Sequence, residues 1–176
     1  TGRRSGRVCQ SHRTQRTESK RLAVVMFTDI VGSVALQQRL GTAAYTEVVA
    51  RHDLMVEAAL RDADDAEVLN ETGDGFVVRF SEPSDAVQTA LRLQFMAAKT
   101  LVEGAPIGIR VGIHLGVITE MEERVRGETR RVGMVLNLAA RVMDMARPGQ
   151  ILVTRAIFDD ARQFVRTHPA VEGWKE

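Results

Sequence analysis

The sequence is poor in the features that mark several large protein classes. It has one cysteine, Cys9, in 176 residues, which excludes an internal disulfide framework and fits a reducing, cytoplasmic setting. No run reaches the ~18 consecutive apolar residues of a membrane span, and no signal-peptide pattern is present, so this segment is not expected to insert into a membrane. There is no internal repeat. What the chain does have is a hydrophobic fraction of 44% at a net charge of +1, enough to build the core of one domain.

The charge is unevenly placed. Residues 1–21 carry seven basic side chains against one acid, Glu18, which leaves the remainder at −5. That opening stretch is rich in Ser, Thr, Gln and Gly and has almost nothing to bury. Residues 1–20 therefore read as a disordered tail or inter-domain linker, with the domain over 21–176. No aromatic side chain interleaves with its arginines, so nucleic acid is not an expected partner.

From Leu22 the pattern becomes globular. LAVVMFTDI (22–30) is an apolar run that reads as a buried strand, and Ser33 reads as the N-cap of a helix. Residues 34–40 and 43–63 have helical spacing, with Tyr45, Val48, Val49, His52, Met55, Val56, Ala59 and Leu60 at three- and four-residue steps. Strands over 66–71 and 75–80 flank the turn Thr72-Gly73-Asp74. A loop over 81–84, a helix over 85–103 and a long strand over 107–121 follow, with glycines at 108, 112 and 116 for close packing. A charged hairpin region (123–132), a helix (135–146) and a turn into a strand (148–154) complete the pattern. The order predicts an α+β fold with helices over one face of a mainly antiparallel sheet. Its core is a ferredoxin-like βαββαβ unit with an additional hairpin, helix and strand.

Three groups of residues carry chemistry. Asp29 ends the first strand; alone, it reads equally well as a cap for the next helix. Asp74 lies in ETGDGF, where Asp-Gly is by itself an ordinary turn pair. If the first strand lies beside the hairpin, both carboxylates emerge at one end of the sheet and can hold two hard divalent cations. The N–H groups of Ile30, Val31, Gly32 and Ser33 then sit at a helix start suited to a phosphate tail. Asn137 and Arg141, four residues apart, share one helix face. Together they suit a sugar oxygen and a phosphorus centre gaining charge, and separately an exposed amide and a salt bridge.

In order and spacing, FTDIVGS, TGDGF, IRVGIH, GMVLNLAARV and PGQILVT resemble the catalytic domain of class III adenylate and guanylate cyclases over about residues 21–160. The resemblance implies a cyclase homology fold and a homodimer with composite sites. It implies Mg²⁺ or Mn²⁺ at Asp29, Ile30 and Asp74, with Phe27, Thr28, Ile30, Val31, Gly32 and Ser33 along the substrate. Asn137 and Arg141 of the other subunit would orient the ribose and stabilise the transition state. The implied activity is conversion of ATP to cyclic AMP and pyrophosphate in intracellular signalling, by a domain fused to or regulated by another. GTP as substrate, or a non-catalytic nucleotide-binding or dimerisation module, are the alternatives.

The departures concern the base. Cyclic AMP-forming members present Lys where this chain has Asn70, and Asp where it has Arg130. An amide can donate and accept, whereas a guanidinium only donates, which suits guanine O6 and N7. Glu71 is expected on the opposite sheet face from Asn70. A family-like final strand is missing before GWKE, and Trp174 reads as core or hinge packing.

Overall fold

The computed structural model describes residues 18–122 and 129–165. In chain order the elements are β1 (Glu18–Ile30), α1 (Ser33–Leu40), α2 (Thr42–Leu60), β2 (Glu67–Glu71), β3 (Gly75–Phe80), α3 (Pro83–Lys99), β4 (Leu101–Val102), β5 (Ala105–Pro106), β6 (Ile109–Glu122), β7 (Thr129–Val132), α4 (Met134–Asp144), β8 (Ile151–Val153) and α5 (Arg155–Val165). The main sheet runs β2-β3-β1-β6-β7, with β8 added parallel to β6. Its first four strands have the ferredoxin-like order, and the fold is mixed α+β as the pattern predicted.

Expectation and structure differ on the faces of the sheet. Val24, Met26 and Ile30 of β1 pack with Val48, Met55 and Val56 of α2, Ala90 and Leu93 of α3, and Ile157 and Ala161 of α5. Ala23 and Val25, pointing the other way, pack with Val135 and Ala139 of α4. Helices therefore cover both faces, not one. The unbroken apolar run of β1 has this cause: a strand covered on both faces has no solvent side to make polar.

The glycines of β6 let α4 settle. A Cβ on Gly112 would lie 2.1 Å from the Met143 nitrogen and 2.7 Å from the Ala139 oxygen, both backbone atoms. Gly116 sits more loosely under the Val135 side chain, 3.0 Å from its Cβ.

Several boundaries also move. β1 begins at Glu18, pairing with Met121, so Glu18, Ser19 and Lys20 belong to the sheet. Residues 1–17 lie outside the described residues, as do 123–128 and 166–176, and with them Trp174 and most of the charged hairpin. α1 is preceded by Gly32, at φ +71°, without a side-chain cap; Ser33 is the first helical residue and not the N-cap. Pro83 opens α3, where its missing N–H costs nothing. α3 stops at Lys99 because Leu101–Val102 turns back onto Ala105–Pro106. The helix α5 was not expected. Its Ile157 and Ala161, four residues apart, are fully buried, and that spacing was its signal. Among the described residues no helix is long and apolar enough to cross a membrane.

Candidate active site

The site forms where β1 ends. Asp29 stands between Gly75 of β3 and Arg110 of β6 in the strand register. The turn after β2 is docked onto the same point. The Ile30 N–H donates to the Asp74 carbonyl at 3.1 Å, and the Phe76 N–H donates to Thr28 Oγ1 at 3.2 Å. Gly73 takes φ +89°, and a Cβ on Gly75 would fall 2.1 Å from the Thr28 carbonyl oxygen. Only glycine permits this approach, and it brings the two acidic residues to one end of the sheet.

Burial raises the pKa of Asp29, and nearby Asp74 raises it further, while the guanidinium of Arg110 pulls it down. Arg110 donates from Nε and Nη2 to Asp29 Oδ2 at 2.9 and 2.7 Å. Sequence reasoning did not single out this arginine; its position in IRVGIH, on the strand beside β1, was the only signal. Tyr45 of α2 was likewise missed as a site residue. Burial, together with nearby Asp74 and Asp29, raises the pKa of its phenol, against a lowering influence from the Ser33 side chain.

The residues of FTDIVGS divide by role. Phe27 packs against the cluster beneath α4, while Thr28 and Ile30 are buried at 2% and 1% exposure. The Thr28 and Ile30 side chains are committed to the core, which leaves only their backbones available to a ligand. The expectation of four successive free N–H groups is also corrected. Ile30 gives its N–H to Asp74, and Val31 gives its own to Gly108 at 2.8 Å. Gly32 and Ser33, at the start of α1, are the positions left for an anion.

Two carboxylates meet here, and among the described residues no group of three or more His, Cys, Asp or Glu is arranged to hold a metal ion. This donor set fits magnesium-like ions. Such ions are commonly held by one or two carboxylates plus substrate phosphates instead of a closed protein cage.

Asn137 and Arg141 are exposed on α4, turned away from Val135, Ala139 and Met143, which pack the helix onto the sheet. Nothing described within the single chain ties either residue to Asp29 or Asp74. Met134 and Met145, 64% and 69% exposed, bracket them. Asn70, paired with Val77, is exposed on the α4 side of the sheet, and Glu71, paired with Phe76, faces the other side. Arg130 pairs with Met121 in β7; its side chain lies outside the described set. Its neighbour Arg131 is held by Glu67 and Glu120.

His52 of α2 lies behind the turn, fully buried, with both ring nitrogens unpartnered and its ring 5.5 Å from that of Phe76. Asp53 Oδ1 is 3.9 Å from Nδ1, too far for a hydrogen bond. Burial lowers the His52 pKa from 6.5 to about 4, so the ring is neutral in the fold. Below pH ~6.5 the unfolded chain takes up this proton and the folded chain does not, so stability is full above that pH and falls towards pH 4. Lowering the pH from 7.5 to 5 is expected to remove about 2 kcal/mol through this group. Urea denaturation at the two pH values checks this, and His52→Leu is expected to flatten the difference.

Comparison with known proteins bears on the fold as a whole. The family model for the adenylate and guanylate cyclase catalytic domain matches residues 15–168. A putative adenylate cyclase of Rhizobium meliloti is 32% identical over 143 residues, covering 80% of this chain and 23% of the relative. The chain spans no more than about a third of any curated relative it matches. Solved structures that share the fold include the following two. The non-canonical dimeric guanylyl cyclase domain of the RhoGC fusion protein from Blastocladiella emersonii has a TM-score of 0.72 at 18% identity, over 83% of this chain and 85% of that one. The adenylyl cyclase CyaB from P. aeruginosa has a TM-score of 0.70 at 19% identity, over 84% and 83%. With the family model covering nearly the whole described fold, the chain belongs to the adenylate and guanylate cyclase catalytic domain family.

Proposed function

We propose that this chain converts ATP to cyclic AMP and pyrophosphate at composite sites of a homodimer. The observation that carries the reading is the meeting of Asp29 and Asp74 at one sheet end, enforced by the Ile30 N–H bond to Asp74 and the close fit of Gly75. Asp29, Asp74 and the Ile30 carbonyl would hold two divalent ions, Mg²⁺ or Mn²⁺, whose charge would stabilise the attacking 3′-oxygen and the leaving pyrophosphate. Gly32 and Ser33 offer N–H groups to the phosphate tail. Asn137 from the partner subunit orients the ribose, and its Arg141 neutralises charge gathering on the α-phosphate. The exposed methionines beside these two residues support a partner on this surface, since paired apolar exposure favours contact. The domain acts in the cytoplasm, where its nucleotide is found, within a larger signalling protein.

GTP is the second reading, favoured by Arg130, whose guanidinium only donates and suits guanine O6 and N7, while the Asn70 amide suits either base. Incubation with Mn²⁺ and either nucleotide, with chromatography of the cyclic product, tests both. Product from ATP supports the first reading, and product from GTP alone supports the second. No product at high protein concentration would overturn catalysis and leave a binding module.

Composite sites predict complementation. Asp74→Ala and Arg141→Ala are each expected to be inactive, and their mixture to recover about one quarter of wild-type activity through heterodimers with one intact site. Specific activity is also expected to fall on dilution. A monomer with undiminished activity would end the composite-site idea.

A further inference from the structure

Arg110 holds one oxygen of the Asp29 carboxylate, which on the metal reading a cation would use. Besides its two bonds to Asp29 Oδ2, its Nη2 lies 3.4 Å from Oδ1 of Asp144, the last residue of α4. The three groups form a carboxylate–guanidinium–carboxylate chain from the end of β1, across β6, to α4. Asp29 and Arg110 are largely covered, with side-chain exposures of 19% and 25%, whereas Asp144 is 62% exposed.

A guanidinium does not deprotonate in proteins, so Arg110 cannot release Asp29 by losing its charge. It has to move, and in the described ion pairs its other carboxylate is Asp144. An acid at the C-terminal end of a helix is disfavoured by the helix dipole, so Asp144 gains nothing there from α4 itself. The nearby guanidinium offsets that cost.

We infer that Asp144 is a positioning residue for metal capture, receiving Arg110 when a divalent cation takes Asp29. This rests on the metal reading of Asp29 given above. Because Asp144 lies one turn beyond Arg141, the hand-over also links metal occupancy of one site to the helix that serves the other. Without Asp144, Arg110 has no second carboxylate among the described ion pairs and competes longer for Asp29.

The test uses Mn²⁺ alone, titrated into the ion-free protein and followed by the electron paramagnetic resonance signal of the free ion. Asp144→Asn is expected to weaken Mn²⁺ binding about two- to fivefold, the range of a partly exposed ion pair. Asp144→Glu is expected to restore binding. Arg110→Gln is expected to tighten it by removing the competing cation, and in that background Asp144→Asn should have no further effect. In turnover, Asp144→Asn is expected to raise the Mn²⁺ concentration for half-activation while leaving the rate at saturating Mn²⁺ nearly unchanged.

Unchanged Mn²⁺ affinity in Asp144→Asn would overturn the inference. So would an equal loss in the Arg110→Gln background, which would show simple attraction between Asp144 and the ion. Asp29→Ala separates the two layers. Mn²⁺ binding that does not need Asp29 would defeat the metal reading itself, while binding that needs Asp29 and ignores Asp144 would defeat only the hand-over.

Discussion

Asp74→Ala is expected to lower cyclic nucleotide formation by about a thousandfold or more, with little change in stability. The backbone of Asp74 holds the turn against β1 through its carbonyl, and alanine keeps that carbonyl. Only the carboxylate is lost, and with it the charge that would hold the ions on the reacting phosphate. A loss of that size corresponds to about 4 kcal/mol of transition-state stabilisation, within the range attributed to metal-assisted displacement. Asp29→Ala is expected to be as inactive but less stable, because it leaves the partly buried Arg110 without its nearer carboxylate. Product assays beside urea denaturation curves for both variants check this. Substantial activity in either variant would remove that carboxylate from the metal site.

The second large effect is expected at a residue remote from the reacting atoms. Gly112→Ala places a methyl group against the backbone of Met143 and Ala139 in α4. A side chain can rotate away from such a clash, but a helix backbone has to shift as a unit. The expected cost is about 3 kcal/mol, at the upper end of overpacking penalties. Asn137 and Arg141 ride on the displaced helix, so activity is expected to fall by more than the folded fraction alone explains. Gly116→Ala is the comparison, with the Val135 side chain 3.0 Å from the added carbon and able to yield. Denaturation midpoints and activities of both variants distinguish the two cases; equal, small effects would mean that α4 is not seated by Gly112.

Much of this molecule is legible residue by residue. The apolar run ending in Asp29, the Thr-Gly-Asp-Gly turn and the Asn137/Arg141 helix are local patterns, and local patterns reflect backbone preference and burial directly. Burial of His52 followed from its place in a helical periodicity. α5 was missed although Ile157 and Ala161 have the right spacing, because the charged residues around them weaken the apolar signal.

What the sequence by itself determined is the candidate side chains and the elements that carry them, since composition and spacing act over a few residues. Tertiary structure alone decided who meets whom. Strand register placed Arg110 opposite Asp29 across a gap of many residues. Packing sent α4 to the other face from α2, α3 and α5, where two glycines let it approach. The N–H groups of Ile30 and Val31, free in any local reading, are taken by Asp74 and Gly108 once the strands align. Each depends on contacts between distant segments, for which a short stretch of sequence carries no energy term until the sheet is formed.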